Sequence, residues 1–131
     1  MSRAASRMTW IAAGAILLIL AITLPRVASS NTDHVREIHI VVREMTYYVD
    51  GQNDPNPTLE VSRGERVRVR LINRDPGMSH DFNVRTWKKG TGLIPNGEQA
   101  VIEFTAPDKP GEAAYACTPH GEMMRGTIRV K

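Results

Sequence analysis

The densest group of metal-binding side chains lies near the C-terminus, in the segment YACTPHGEMMRG at residues 115–126. It contains the only cysteine of the chain, Cys117, followed by His120 and then by Met123 and Met124. A lone cysteine has no partner for an internal disulfide, so Cys117 is either an apolar packing residue or a thiol with a chemical role. The Cys-x-x-His spacing puts a sulfur and an imidazole on one short loop, which favours a metal site.

A further ligand for such a site must come from elsewhere in the chain. Besides His120 there are three histidines, and one of them, His80, lies in the segment SHDFNVR at residues 79–85. If this segment is a strand, its side chains alternate between two faces, and His80 shares a face with Phe82 and Val84. An imidazole on an apolar face needs a partner, so His80 is the third candidate ligand.

Two histidines, one cysteine thiolate and a weakly bound methionine form the trigonal ligand set of a one-electron copper site. Soft sulfur favours Cu(I) and imidazole suits both oxidation states, so the ion needs little rearrangement when it changes charge. Zinc is the main alternative metal. Structural zinc sites of the Cys₃His and Cys₂His₂ types need more cysteines than the single one present. We therefore expect one copper ion that alternates between Cu(I) and Cu(II).

The elements that would position these ligands are short strands. In RVRVRLINR, Val67, Val69 and Leu71 alternate with arginines at the period of two that is typical of a half-buried strand. Gly and Pro residues punctuate the chain between similar segments, and no convincing helix follows the N-terminal region. We predict an all-β, antiparallel β-sandwich with strands at 36–42, 45–50, 66–74, 79–85, 100–106, 112–117 and 126–131.

The first thirty residues have a different composition. Arg3 and Arg7 precede an apolar run at residues 9–24, and Pro25 and Arg26 follow it. A positive start, an apolar middle and a small-residue exit are typical of a bacterial export signal. Residues 1–30 are therefore predicted to be a cleaved signal peptide or an uncleaved N-terminal membrane anchor, and residues 31–131 the metal-binding domain. The expected location is the periplasm or the outer face of the cytoplasmic membrane.

Charge argues against nucleic acid as a partner. The chain has 17 basic and 14 acidic residues, and three of the basic ones, Arg3, Arg7 and Arg26, lie in the predicted signal. The remainder therefore has 14 of each sign (17 − 3 = 14), and it contains no basic tract with interleaved aromatic residues. We expect a monomer whose partners are proteins.

Two segments, YACTPHGEMMRGTIRV and GMSHDFNV, resemble the copper-binding loops of small blue copper proteins, the plastocyanin–azurin–amicyanin group of the cupredoxin family. The resemblance in order and spacing covers most of residues 35–131. It implies a Greek-key β-sandwich with His80, Cys117 and His120 as equatorial ligands and a methionine after His120 as the axial ligand. It also implies one-electron transfer without chemical turnover, so the protein is not expected to be an enzyme.

The alternation of the last strand separates the two candidate methionines. In MMRGTIRVK, Ile128 and Val130 are apolar, and the period of two puts Met124 on their inner face and Met123 on the outer face. The Met-x-Gly pattern of the family also matches Met124. We therefore predict that Met124 is the axial ligand.

Two further contacts are expected, the first from the resemblance and the second from the common role of groups that hydrogen-bond around metal ligands. An apolar patch around His120, built from Pro76, Met78, Pro119, Gly121 and Met123, would dock redox partners. A hydrogen bond from the Thr118 hydroxyl to the Asp81 carboxylate would join the two ligand loops.

At two positions the sequence departs from plastocyanins. Asp81 replaces their asparagine after the first histidine, and Ala116 replaces their tyrosine before the cysteine.

Other copper functions are less well supported by the sequence. A periplasmic copper chaperone or sensor is the second hypothesis, although the chain lacks the Met-rich tract that such proteins use. Copper oxidases and nitrite reductases need His-x-His ligand pairs, and the sequence has none. A binuclear copper site needs two cysteines.

Overall fold

The structure, a computed structural model, describes residues 34–131. The predicted signal or anchor at residues 1–30 lies outside the described residues. Nine strands and one short 3₁₀ helix, Arg85–Trp87, make up the described part. The strands are β1 (Arg36–Arg43), β2 (Thr46–Val49), β3 (Thr58–Val61), β4 (Arg66–Asn73), β5 (Asn83–Val84), β6 (Lys89–Gly90), β7 (Gln99–Thr105), β8 (Gly111–Ala116) and β9 (Arg125–Val130). Between residues 34 and 131 no helix is long and apolar enough to cross a membrane.

The predicted all-β sandwich is confirmed. One sheet has the strand order β2-β1-β4-β7, and the other has the order β3-β9-β8-β5-β6. Along β4 the apolar side chains Val67, Val69 and Leu71 are buried, and the intervening arginines are partly exposed. Because alternate residues of a strand face opposite ways, this pattern places one side of β4 in the core and the other in solvent.

The prediction that the sheets are wholly antiparallel is wrong, because both are mixed. β1 pairs in parallel with β4, and β3 pairs in parallel with β9. These strands are not sequence neighbours: between β1 and β4 the chain passes through β2 and β3, which belong to different sheets. A long connection of this kind permits a parallel pairing that a tight hairpin does not.

An aromatic cluster fills the core next to the ends of β5 and β8. The Phe82 and Tyr115 rings stack at 4.7 Å, and Tyr47 meets Tyr115 edge-on at 5.3 Å. The Tyr115 hydroxyl donates to the Pro57 carbonyl at 2.6 Å, and the Tyr47 hydroxyl donates to the Asp81 carbonyl. Burial raises the pKa of both phenols above its usual value, so both hydroxyls remain hydrogen-bond donors at neutral pH.

The segment predicted as a strand at residues 79–85 is mostly irregular. Only Asn83–Val84 is a strand, and His80 forms an isolated bridge with Ile94. Lys88 has a left-handed backbone with φ of 52°, which reverses the chain so that β6 pairs with β5. Gly90 leaves room for the Asn83 side chain, because a Cβ atom at this position would lie 1.7 Å from Asn83 Oδ1.

Candidate metal centre

Two loops at one end of the sandwich hold the candidate ligands. His80 lies in the loop between β4 and β5, and Cys117 and His120 lie in the loop between β8 and β9. Backbone hydrogen bonds make each loop rigid: His80 exchanges two with Ile94, at 2.8 and 3.0 Å, and the His120 carbonyl accepts from the Met124 amide at 2.9 Å. The sandwich therefore brings together residues that are 37 positions apart in the chain.

The donor atoms of His80, Cys117 and His120 all lie within 4.8 Å of one another. Cys117 Sγ is 3.8 Å from His80 Nδ1 and 3.6 Å from His120 Nδ1. With metal–nitrogen bonds of about 2.05 Å and metal–sulfur bonds of about 2.3 Å, nitrogen and sulfur ligands of one ion lie about 3.6–3.8 Å apart. The spacing of the three donors therefore fits a single metal ion.

Burial differs among the three residues. His80 and Cys117 are fully buried, and His120 is partly exposed. The centre is therefore closed to solvent on the His80 side and reaches the surface at the His120 edge.

Asp75 orients His80, a role that the sequence did not suggest. His80 Nε2–H donates to Asp75 Oδ2 at 2.9 Å, which leaves the Nδ1 lone pair facing Cys117. Carboxylate–histidine pairs of this kind fix the tautomer and the orientation of metal-binding imidazoles. Burial of Asp75 disfavours its charged carboxylate and so tends to raise its pKa. Hydrogen bonds from the Met45 amide and from His80 stabilise the charged form and outweigh this effect of burial, so the pKa of Asp75 lies below its usual value.

The buried Asn73 side chain supports this arrangement. Its Oδ1 accepts a hydrogen bond from the Asp75 amide at 2.9 Å. Its Nδ2 donates to the carbonyls of Met78 and Ile94, at 2.8 and 2.9 Å. One side chain thus ties together both ends of the turn that precedes His80.

Asp81 joins the two ligand loops, but not through the predicted contact. Asp81 Oδ1 accepts from the Thr118 backbone amide at 2.6 Å. The Thr118 hydroxyl instead accepts from Asn83 Nδ2 at 3.1 Å. The predicted hydrogen bond from the Thr118 hydroxyl is therefore wrong, because the Thr118 backbone amide is the donor to the Asp81 carboxylate. The amide next to Cys117 would otherwise be a donor without a partner at the loop, and the carboxylate satisfies it.

Two effects of opposite sign act on the pKa of the Cys117 thiol. Burial raises its pKa above the usual value, and hydrogen bonds from the backbone amides of Asp81 and His120 act against that rise. Amide donors stabilise a thiolate. They are therefore placed to support a sulfur ligand once a cation offsets the cost of burying its charge.

Met124 is fully buried in the core cluster that also contains Cys117, and Met123 is 57% exposed. Met124 therefore lies on the inner face and Met123 on the outer face, as the alternation of the last strand predicts. The Cys117 amide donates to the Met124 carbonyl at 3.0 Å, so Met124 lies across the loop from Cys117. Two residues later, Gly126 leaves room for the Tyr115 ring, because a Cβ atom there would lie 2.2 Å from it.

The sequence of the chain matches the family described as the cupredoxin-like domain over residues 12–130. Comparison with curated protein sequences gives no significant match.

Several solved structures share the fold. Auracyanin A, a "blue" copper protein from the green thermophilic photosynthetic bacterium Chloroflexus aurantiacus, superposes with a TM-score of 0.59 at 19% identity over 75% of this chain and 100% of its own. A rusticyanin structure gives 0.52 at 25% identity, over 73% of this chain and 78% of its own. An amicyanin variant in its reduced Cu(I) form gives 0.50 at 27% identity, over 72% and 82%.

Proposed function

Because the chain belongs to the cupredoxin-like family, we propose that it carries single electrons between redox proteins through one copper ion bound by His80, Cys117, His120 and Met124. The observation that carries the proposal is the spacing of the three donor atoms, all within 4.8 Å of one another at the end of the sandwich. The donor set and the family both support copper as the cofactor. When bound, copper supplies a Cu(II)/Cu(I) couple that accepts and releases one electron.

The residues of the chain contribute rigidity. Asp75 holds the His80 ring, and Asp81 holds the loop of Cys117 through the Thr118 amide. Ligands fixed by such outer contacts move little when the charge of the site changes, which lowers the reorganisation that electron transfer requires. Burial of His80 and Cys117 keeps water away from the site and favours outer-sphere transfer over chemistry on a bound substrate.

The partly exposed His120 edge is proposed as an exit for electrons. Next to it lie exposed Pro119 and Met123 and half-buried Gly121, and we propose that they form a mainly apolar docking surface with Met78. Exposed Glu122 is the one carboxylate in residues 119–123. Small surfaces with little charge suit brief encounters between redox proteins. We further propose that residues 1–30 direct the protein to the periplasm or anchor it at the outer face of the cytoplasmic membrane, and that it acts as a monomer without enzymatic turnover.

A reductive titration tests the function. Protein loaded with Cu(II) is titrated anaerobically with dithionite while its copper content and visible absorbance are followed. The proposal predicts one copper per chain and complete, reversible bleaching after one electron per copper. Absence of copper binding, or copper that cannot be reduced and reoxidised without being lost, would refute an electron-carrier role.

A further inference from the structure

A groove with a volume of about 560 Å³ lies on the outer side of the β3-β9-β8-β5-β6 sheet and reaches the metal centre. Ala114 and Ala116 line it, and they alternate along β8 with the buried residues Ala113 and Tyr115. The groove also includes Cys117 and Thr118. Small side chains on β8 therefore leave an open depression that extends as far as Cys117, a proposed copper ligand.

Four cationic side chains line the same groove: Arg85, Lys88, Lys89 and Arg125. No acidic residue is among the residues that line it. Within residues 34–131, none of these four cations forms an ion pair with a carboxylate, since the ion pairs of the described chain involve other residues. The groove therefore has four cationic side chains that form no ion pair with a carboxylate of the described chain.

The arginines elsewhere on the sheets are arranged differently. Arg68 pairs with Glu103, Arg70 pairs with Glu37 at 2.7 Å, and Arg129 pairs with Glu112 at 2.8 Å. The part of the chain after residue 30 has equal numbers of acidic and basic residues, so carboxylates are available. Their absence from the groove is a local asymmetry, which gives the surface of the groove a positive potential.

From the groove and its unpaired cations we infer that it docks a carboxylate-rich polypeptide segment of a redox partner. The concave shape and positive lining complement an acidic protein surface. No aromatic side chain lines the groove, so it lacks the stacking surfaces that single-stranded nucleic acids use. It also lacks the large exposed apolar residues that insert into a membrane interface.

The docked partner would have a route for electrons that is separate from the His120 edge. One electron would leave the reduced centre of the partner and convert Cu(II) to Cu(I), entering through Cys117, with no bond formed and no proton moved. This electron route rests on the proposed function, whereas the docking itself does not. Two separate surfaces would let donor and acceptor bind without competing for one site.

The test uses an oligoglutamate peptide as the probe. Amide chemical shifts of the copper-free protein and of its Cu(I) form are followed during titration at low ionic strength. We expect shifts concentrated at the residues that line the groove, and weaker binding as salt is added. The double variant Lys88→Glu/Lys89→Glu should bind the peptide more weakly by on the order of tenfold.

A matched control is Arg63→Glu/Lys109→Glu, which changes the net charge equally. Arg63 lies at the opposite end of the sandwich, where its amide donates to the Lys131 carbonyl, and Lys109 precedes β8 at the same end. This control should bind the peptide within about twofold of wild type. Equal weakening in both variants, or shifts scattered over the surface, would overturn the inference.

Two further readouts separate the outcomes. If the groove binds phosphatidylglycerol vesicles more tightly than oligoglutamate, the inferred protein partner is wrong and the groove instead binds a membrane surface. The rate at which hexacyanoferrate(II) reduces the Cu(II) protein should fall several-fold in the groove variant and not in the control. If the peptide binds in the groove but the protein takes up no copper, the docking inference stands and the proposed function is refuted. If the protein has a reversible copper site but the peptide does not bind in the groove, the proposed function stands and the docking inference is refuted.

Discussion

His80 and Asp75 form a buried pair in which Nε2–H of the imidazole lies 2.9 Å from a carboxylate oxygen. The opposite ring nitrogen faces Cys117. A negative charge on the far side of a proposed ligand favours the more positive state of the metal, so it stabilises Cu(II) relative to Cu(I). The pair therefore fixes the orientation of the ring, and we expect it to lower the reduction potential of a copper ion bound there.

Asp75→Asn should raise the reduction potential. Asparagine keeps an oxygen that can accept from His80 but removes the charge, and at this range the expected rise is roughly 50–150 mV. Potentiometric titration of the copper-loaded variant measures it, with the exposed Asp108→Asn as the control for net charge. A potential within experimental error of wild type would mean that the carboxylate charge does not act on the site.

Asp81→Asn should also raise the potential, by tens of millivolts as an order of magnitude. The amide oxygen of asparagine can still accept from the Thr118 amide, so the two loops stay joined. The visible spectrum should change little, because no proposed ligand is altered. A lower potential in the variant would show that loss of loop rigidity, not loss of charge, dominates at this position.

Met124→Leu and Met123→Leu separate the two methionines. Leucine preserves volume and apolar character but lacks the thioether sulfur, so Met124→Leu should raise the potential and shift the visible bands. Met123 is 57% exposed, and its replacement should leave both properties near those of wild type. If the exposed variant changes the spectrum and the buried one does not, Met124 is not the axial ligand.

Met123→Lys and Met78→Lys test the proposed exit at His120. An added lysine on this mainly apolar surface should slow electron self-exchange several-fold, because two copies must bring the same surfaces together. Absorption spectra of the variants should match wild type, since the copper ligands are unchanged. NMR line broadening in mixtures of reduced and oxidised protein measures the exchange rate, and Lys109→Glu is a control far from the site. Identical rates in all four proteins would place the exit elsewhere.

Alternation along the chain predicted much of the sandwich and the positions of the methionines. The Met124 assignment extended strand parity into a loop, and parity persists there because the Cys117 amide pairs with the Met124 carbonyl beyond the ends of β8 and β9. Alternation does not hold around Asp81. A regular strand at residues 79–85 would place Asp81 on the face opposite His80 and Phe82, but this segment is mostly irregular. Asp81 is buried, and its carboxylate accepts from the Thr118 amide.

Features that depend on contacts between distant segments were not predictable. The parallel pairings β1–β4 and β3–β9 follow from how the chain passes between sheets, which periodicity does not encode. Asp75 precedes a Pro-Gly turn, and a carboxylate five residues before a candidate ligand was the only signal of its role. The basic groove joins cations from the β5–β6 region with Arg125, so no local charge run indicates it.

The visible absorption spectrum of the copper-loaded protein, compared with that of Cys117→Ser, tests whether Cys117 binds copper. We expect an intense blue or green band from thiolate-to-copper charge transfer, one copper per chain, and loss of the band on reduction. In Cys117→Ser the band should be absent, because a hydroxyl is a poor soft ligand. A colourless wild-type protein after copper loading, or a site that retains only zinc, would rule out a copper site with Cys117 as a ligand.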